Sequence, residues 1–190
     1  MKRTFSLIGF ALLLIVLSGC GSNLTGFNEP SVSVKDIPQE PSQTELISQI
    51  ESADSGNIES IIANNFYLLV TVTGEDNNTA NVYATRQFKL QELVSAITNS
   101  SQPEEKSEIK DNQQILVYPN HFVTFKYSEE DQDVLLIEVA SDTFVRNNYS
   151  PSYLNGFFTY MLLNRMLSTD NWAETRRQNC LSNDCYGGYS

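Results

Sequence analysis

The sequence holds little of what chemistry usually needs. Among 190 residues there is one histidine, His121, one tryptophan, and three cysteines. A lone imidazole cannot build a histidine-rich metal site. As a general base it would need an orienting acid and a nucleophile, and none can be identified. Three cysteines fall short of a four-cysteine zinc site, so the expectation is no metal and no cofactor. Basic residues are also scarce, 12 Lys and Arg against 23 Asp and Glu. That surface repels phosphate backbones and excludes ordinary nucleic-acid binding. There is no phosphate-cradling glycine-rich motif and no Gly-x-Ser-x-Gly elbow. No catalytic constellation is visible, and the expectation is a protein that is not an enzyme. Finally, no apolar run approaches the roughly 20 residues a spanning helix needs.

What is present begins at the N-terminus. Met1-Lys2-Arg3 is followed by Phe5 to Leu17, apolar except for Ser6 and Gly9, and then by Leu17-Ser18-Gly19-Cys20. A charged start, a short apolar middle and small residues at a cut describe a secretory signal. Cysteine directly after Leu-Ser-Gly resembles the lipobox of bacterial lipoproteins. The resemblance implies cleavage between Gly19 and Cys20, with diacylglyceryl and N-acyl groups on Cys20. Several acyl chains on one cysteine make a stable anchor, since each buried CH₂ is worth about 0.8 kcal/mol. Residues 1–19 are then the signal peptide. Residues 20–43, rich in Ser, Gly, Pro and Asn, read as a flexible tether with a reach of about 25 Å. The expected address is the extracytoplasmic face of the cell membrane, with the bilayer itself as one partner.

Residues 44–168 read as a single α+β domain. Helical spacing predicts short helices over 44–52 and 57–63 and an amphipathic helix over 89–98, where Leu90, Leu93, Val94 and Ile97 share a face. Five strands are expected: a hairpin of 66–73 and 79–85, then a meander of 114–118, 121–127 and 134–139. The polar stretch 99–112 reads as an exposed loop. Ser128 to Asp133 reads as an acidic, solvated hairpin tip. Residues 152–168 are apolar nearly all round and are expected to form one long helix laid on the sheet. The sheet should be antiparallel with its helices on one face. Residues 169–190 read as a mobile tail. Within it, Cys180 and Cys185 are open to three readings: a disulfide closing a short loop, free thiols, or a metal site.

The stretch Gln114 to Phe158, QILVYPNHFVTFKYSEEDQDVLLIEVASDTFVRNNYSPSYLNGFF, resembles the core of an uncharacterised family of small bacterial lipoproteins, described only as a domain of unknown function. The likeness lies in the VYP turn, the LLIEV strand and the FVRNNYSPSYL segment. It implies a Gram-positive outer-face setting and transfers no catalytic residues. Within that segment Phe144, Arg146, Asn147 and Tyr149 form a candidate recognition surface, because arginine and aromatics favour contacts. In the plainer reading Arg146 pairs with an acid while Phe144 and Tyr149 pack. The leading functional expectation is a non-enzymatic interaction module for an envelope partner. The alternatives are a small-ligand-binding lipoprotein for transport or sensing, and an envelope hydrolase using scattered carboxylates.

Overall fold

The computed structural model describes residues 33–53 and 57–189. Gly19 and Cys20, and with them the expected signal cleavage and lipidation site, lie outside these residues. The strands are β1 Tyr67–Thr73, β2 Thr79–Thr85, β3 Glu105–Lys106, β4 Gln113–Tyr118, β5 His121–Tyr127 and β6 Leu135–Ser141. They form one antiparallel sheet in the order β1-β2-β6-β5-β4-β3. The expected hairpin and meander are both there, joined by β2 pairing with β6. The sheet has six strands rather than five. The added one, β3, pairs Glu105 with Val117 and Lys106 with Leu116. Two charged residues carry no strand pattern, so the segment reads as loop in the sequence.

The helices are α1 Gln43–Ser52, α2 Ile58–Asn65, α3 Leu90–Ser100, α4 Asp142–Asn148, α5 Pro151–Leu154, α6 Tyr160–Met166 and α7 Trp172–Asn179. Side chains with a free oxygen start several of them. Ser42 Oγ accepts from the Glu45 N–H, Asn57 Oδ1 from Ser60, Ser141 Oγ from Phe144 and Thr159 Oγ1 from Leu162. The expectation of helices on one face is corrected. Helices α1–α3 bury Leu46, Ile50, Ile61, Ile62, Leu93 and Ile97 against one side of the sheet. Helices α4–α7 bury Phe144, Val145, Leu154, Leu163 and Trp172 against the other. Strands covered on both faces read as continuous apolar runs, and Leu135 to Ala140 are accordingly all buried.

The expected long helix over 152–168 is also corrected: no long apolar helix forms. The chain leaves α5 at Asn155-Gly156 and restarts at Thr159, the cap of α6. A Cβ on Gly156 would lie 2.9 Å from the Tyr153 carbonyl oxygen, so this turn requires glycine. A single rod that is apolar on every side would leave much of its surface in water. Breaking it lets Leu154, Phe158, Leu163 and Leu167 all reach the core, leaving Met161 81% exposed.

Described residues of both flanks are packed onto the domain. Residues 33–42 lie within the expected tether, yet Val34 is buried and Ser33 Oγ donates to Glu130 Oε1 at 2.8 Å. Arg86 bonds Asp131 at 2.8 Å and the Val34 carbonyl at 3.2 Å. The acidic hairpin tip thus receives the first of the described residues, and Ser33 and Val34 hold the Glu130 carboxyl below its usual range. At the other terminus the expected mobile tail contains α7, the Cys180–Cys185 disulfide, and buried Tyr186 and Tyr189.

Buried phenols make the fold base-sensitive. Tyr118 donates to the Ser101 carbonyl at 3.0 Å, and burial pushes its pKa up to about 12. The folded phenol stays neutral at a pH where the unfolded chain has already lost its proton. Its contribution is therefore whole below pH 10 and is lost as the pH rises to about 12. Tyr83, Tyr149 and Tyr153 are raised in the same direction. Denaturant titrations across this window should show stability falling by at least about 3 kcal/mol, the worth of two pH units at one site, with little change just below pH 10.

Candidate functional site

Two connected features stand out on the α4–α7 side: a buried carboxylate and an arginine-walled cleft. Glu138 sits in the middle of β6, between Ile137 and Val139, and is 3% exposed. Its neighbours along the strand on the same face, Leu136 and Ala140, belong to the core under α4–α7. Three donors meet it. Tyr149 Oη donates to Oε1, while Tyr186 Oη at 3.1 Å and the Tyr189 N–H at 2.9 Å donate to Oε2. Burial pushes the Glu138 carboxyl up, and these donors, with the charge of Lys126, pull it back in part. Around it Phe144, Tyr149, Tyr153 and Tyr186 meet edge to face or tilted, with ring centres 5.2–6.2 Å apart. Closed off from solvent, Glu138 cannot reach a substrate, and its role is to bolt the C-terminal segment to the sheet.

The cleft lies directly outside this hub, about 300 Å³ in volume, between α4, α7 and the turn from Glu75 to Asn77. Its key residue is Arg176, whose side chain is only 4% exposed. Nε donates to the Tyr149 carbonyl at 3.3 Å and Nη2 to the Asn148 carbonyl at 3.0 Å. Nη1 lies 3.6 Å from Glu75 Oε1, a carboxylate that is itself 52% exposed. Burial pulls the guanidinium below its usual range while Glu75 pushes it back up. Asn148 fixes the facing turn, since its Oδ1 accepts from the Glu75 N–H at 2.7 Å and its Nδ2 donates to the Phe144 carbonyl. The approach is so close that a Cβ on Gly74 would lie 2.3 Å from Asn148 Oδ1. Trp172 closes the floor and donates its indole N–H to the Arg146 carbonyl at 2.9 Å.

The four residues singled out from the sequence separate here. Phe144 and Tyr149 are buried in the hub and form no surface, which corrects that expectation. The reason is local: FVRNN is helical, so Phe144 and Val145 turn inward while Arg146 and Asn147 turn out. Arg146 and Asn147 do line the cleft. Arg146 bonds Asp142 at 2.8 Å one helical turn back, and its buried Nε has no hydrogen-bond partner. Glu75, Trp172, Arg176 and Glu138 carry no sequence motif. Glu138 alone left a trace, an acid inside an apolar strand, where a charge survives only with partners.

Other candidates are weaker. A more open groove of about 600 Å³ runs between α3 and β3. The buried polar groups beside it satisfy one another, Gln114 Nε2 on the Ser107 carbonyl and Ser107 Oγ on the Ile115 N–H. His121 opens β5 after the Pro119-Asn120 turn and stands 3.6 Å from the Glu59 carboxylate. Among the described residues no His, Cys, Asp or Glu cluster could hold a metal, and no helix is long and apolar enough to cross a membrane.

No curated protein and no solved structure matches the chain. A family model described as a domain of unknown function (DUF4247) matches residues 46–181, taking in the whole sheet, the cleft and α7 but not the Tyr186–Tyr189 segment, and the chain belongs to that family.

Proposed function

We propose that this chain is a lipid-anchored, extracytoplasmic binding module that holds the Arg146–Arg176 cleft out from the membrane for an envelope partner. The observation that carries the reading is the placement of the cleft relative to the point of entry. Ser33 and Val34 dock at the Glu130–Asp131 turn, beside the end of β2 and the start of β6. Glu75 precedes β2 and α4 follows β6, so the cleft sits at the far end of the same strands. Seven residues at about 3.3 Å each separate the ends by about 20 Å. A chain acylated at Cys20 would approach from the entry side and turn the cleft outward. The net charge of −11 leaves attachment to the acylated cysteine rather than to anionic headgroups, which such a charge repels.

Site-specific photo-crosslinking in cells tests it. A photoreactive residue at Asn179, exposed at the cleft rim, should capture one discrete envelope protein. The same residue at Glu129, exposed on the entry turn, should not. Capture from Asn179 should be lost or much reduced in Cys20→Ala. Equal capture from both positions, or capture indifferent to Cys20→Ala, would count against the reading.

A further inference from the structure

We infer that the cleft takes a small zwitterion, a carboxylate and an ammonium on one molecule, as in a free amino acid or a very short peptide. The inference rests on the reading of the cleft as the working surface and names the chemistry it recognises. A volume of about 300 Å³ is at the small end of ligand sites. It suits a molecule of amino-acid or dipeptide size.

The walls carry opposite charge. On one side Arg176, which lines the cleft, is immobilised through Nε and Nη2 by two backbone carbonyls, while Nη1 has Glu75 at 3.6 Å as its counter-ion. Arg146 adds a second guanidinium to the lining, 35% exposed, with its Nη2 paired to Asp142 at 2.8 Å. Beyond those two carbonyls, the counter-charge of buried Arg176 is a half-exposed carboxylate at 3.6 Å, a loose pair. A ligand carboxylate would replace that contact with short charge-assisted hydrogen bonds. Glu75 would then be released to an ammonium, with Asp76 beside it on the same turn. A dianion such as phosphate gains the arginines but meets both acids. A simple amine gains the acids but meets both arginines. Only a molecule bearing both signs satisfies both walls.

The test uses an internal reporter. The chain has one tryptophan, Trp172, and it lines the cleft. A ¹⁵N-labelled, full-length sample in detergent therefore shows a single indole N–H resonance. It would be titrated with alanine and with alanylalanine, and in parallel with acetate, ethylamine and inorganic phosphate. At least one zwitterion should move the Trp172 resonance to saturation, at least about tenfold tighter than acetate or ethylamine, as expected for one added charge-assisted contact. Tighter binding of alanine would point to a free amino acid, and tighter binding of alanylalanine to peptide ends. Glu75→Gln, with its fold checked by thermal unfolding because it removes the counter-ion of buried Arg176, should weaken the zwitterion about tenfold while leaving acetate unchanged or improved. The inference is overturned if neither zwitterion saturates, if acetate or phosphate binds as tightly, or if Glu75→Gln changes nothing. Such a failure would leave the crosslinking result standing. A lost crosslink beside a saturable zwitterion would instead sink the envelope-partner reading alone.

Discussion

Replacing Glu138 by alanine is expected to cost about 4 kcal/mol, while Glu138→Gln should cost about 1 kcal/mol or less. Alanine strands three buried donors, the hydroxyls of Tyr149 and Tyr186 and the N–H of Tyr189. An unmet buried donor costs about 1–3 kcal/mol, and relief from burying a carboxylate offsets part of the total. Glutamine keeps the shape. Its oxygen can accept from Tyr186 and Tyr189 and its amide can donate to the Tyr149 oxygen, so one donor, the Tyr149 hydroxyl, loses its acceptor instead of three. Denaturant unfolding of the three proteins measures the difference. The pH dependence separates charge from shape. Because the folded pKa of Glu138 is raised, its contribution is whole below about 4.5 and declines as the pH climbs through the folded value. The decline should vanish in Glu138→Gln. An alanine variant as stable as the parent would show that the hub does not hold the domain together.

The hub also explains which parts of the molecule were legible in the sequence. Strands and amphipathic helices announced themselves through periodicity, and α3 and the β4–β6 meander fall within a residue or two of their expected limits. The hairpin and meander also join in one sheet as expected, through β2 and β6, but the long helix and the C-terminal tail, whose form depends on partners distant in sequence, did not follow their expected form. The segment Ser152 to Ser168 has apolar residues enough for one long helix, yet Gly156 and the Thr159 cap divide it. Propensity along the segment could not reveal that two faces of a sheet, rather than one, needed covering. The C-terminal residues looked mobile because Tyr186-Gly-Gly-Tyr189 has no period. Their order comes from a glutamate nearly fifty residues earlier. The site was half legible for the same reason. Arg146 and Asn147 lie together on one half-buried helical face, whereas Arg176 and Glu75 join them through the Asn148 side chain and the Asn148 and Tyr149 carbonyls.

Ending the chain after Cys185 should have the largest effect of all, loss of the cooperative fold. Tyr186 and Tyr189 are 3% and 8% exposed. Removing a buried aromatic side chain costs about 3–5 kcal/mol, and two together rival the whole stability of an ordinary domain, about 5–15 kcal/mol. The deletion also removes backbone bonds. The Tyr186 N–H donates to the Asn148 carbonyl at 2.9 Å, and the Tyr186 carbonyl accepts from Ser150 at 2.8 Å. The Asn148 carbonyl also receives Arg176, so the cleft and the hub should fail together. A milder pair tests the coupling without unfolding the protein. Tyr186→Phe keeps the ring contacts with Phe144 and Tyr149 and removes one donor, at a cost of about 1 kcal/mol. Combined with Glu138→Gln it should cost less than the two changes added, because they act on one shared contact. The disulfide cannot substitute for the deleted segment, since it closes only the loop from Cys180 to Cys185 and constrains nothing across the sheet. Thermal unfolding of the truncated chain by circular dichroism decides the matter. A sharp transition within a few degrees of the parent would mean that α4 and α7 stand without the segment, and that the arginine cleft is built by the helices alone.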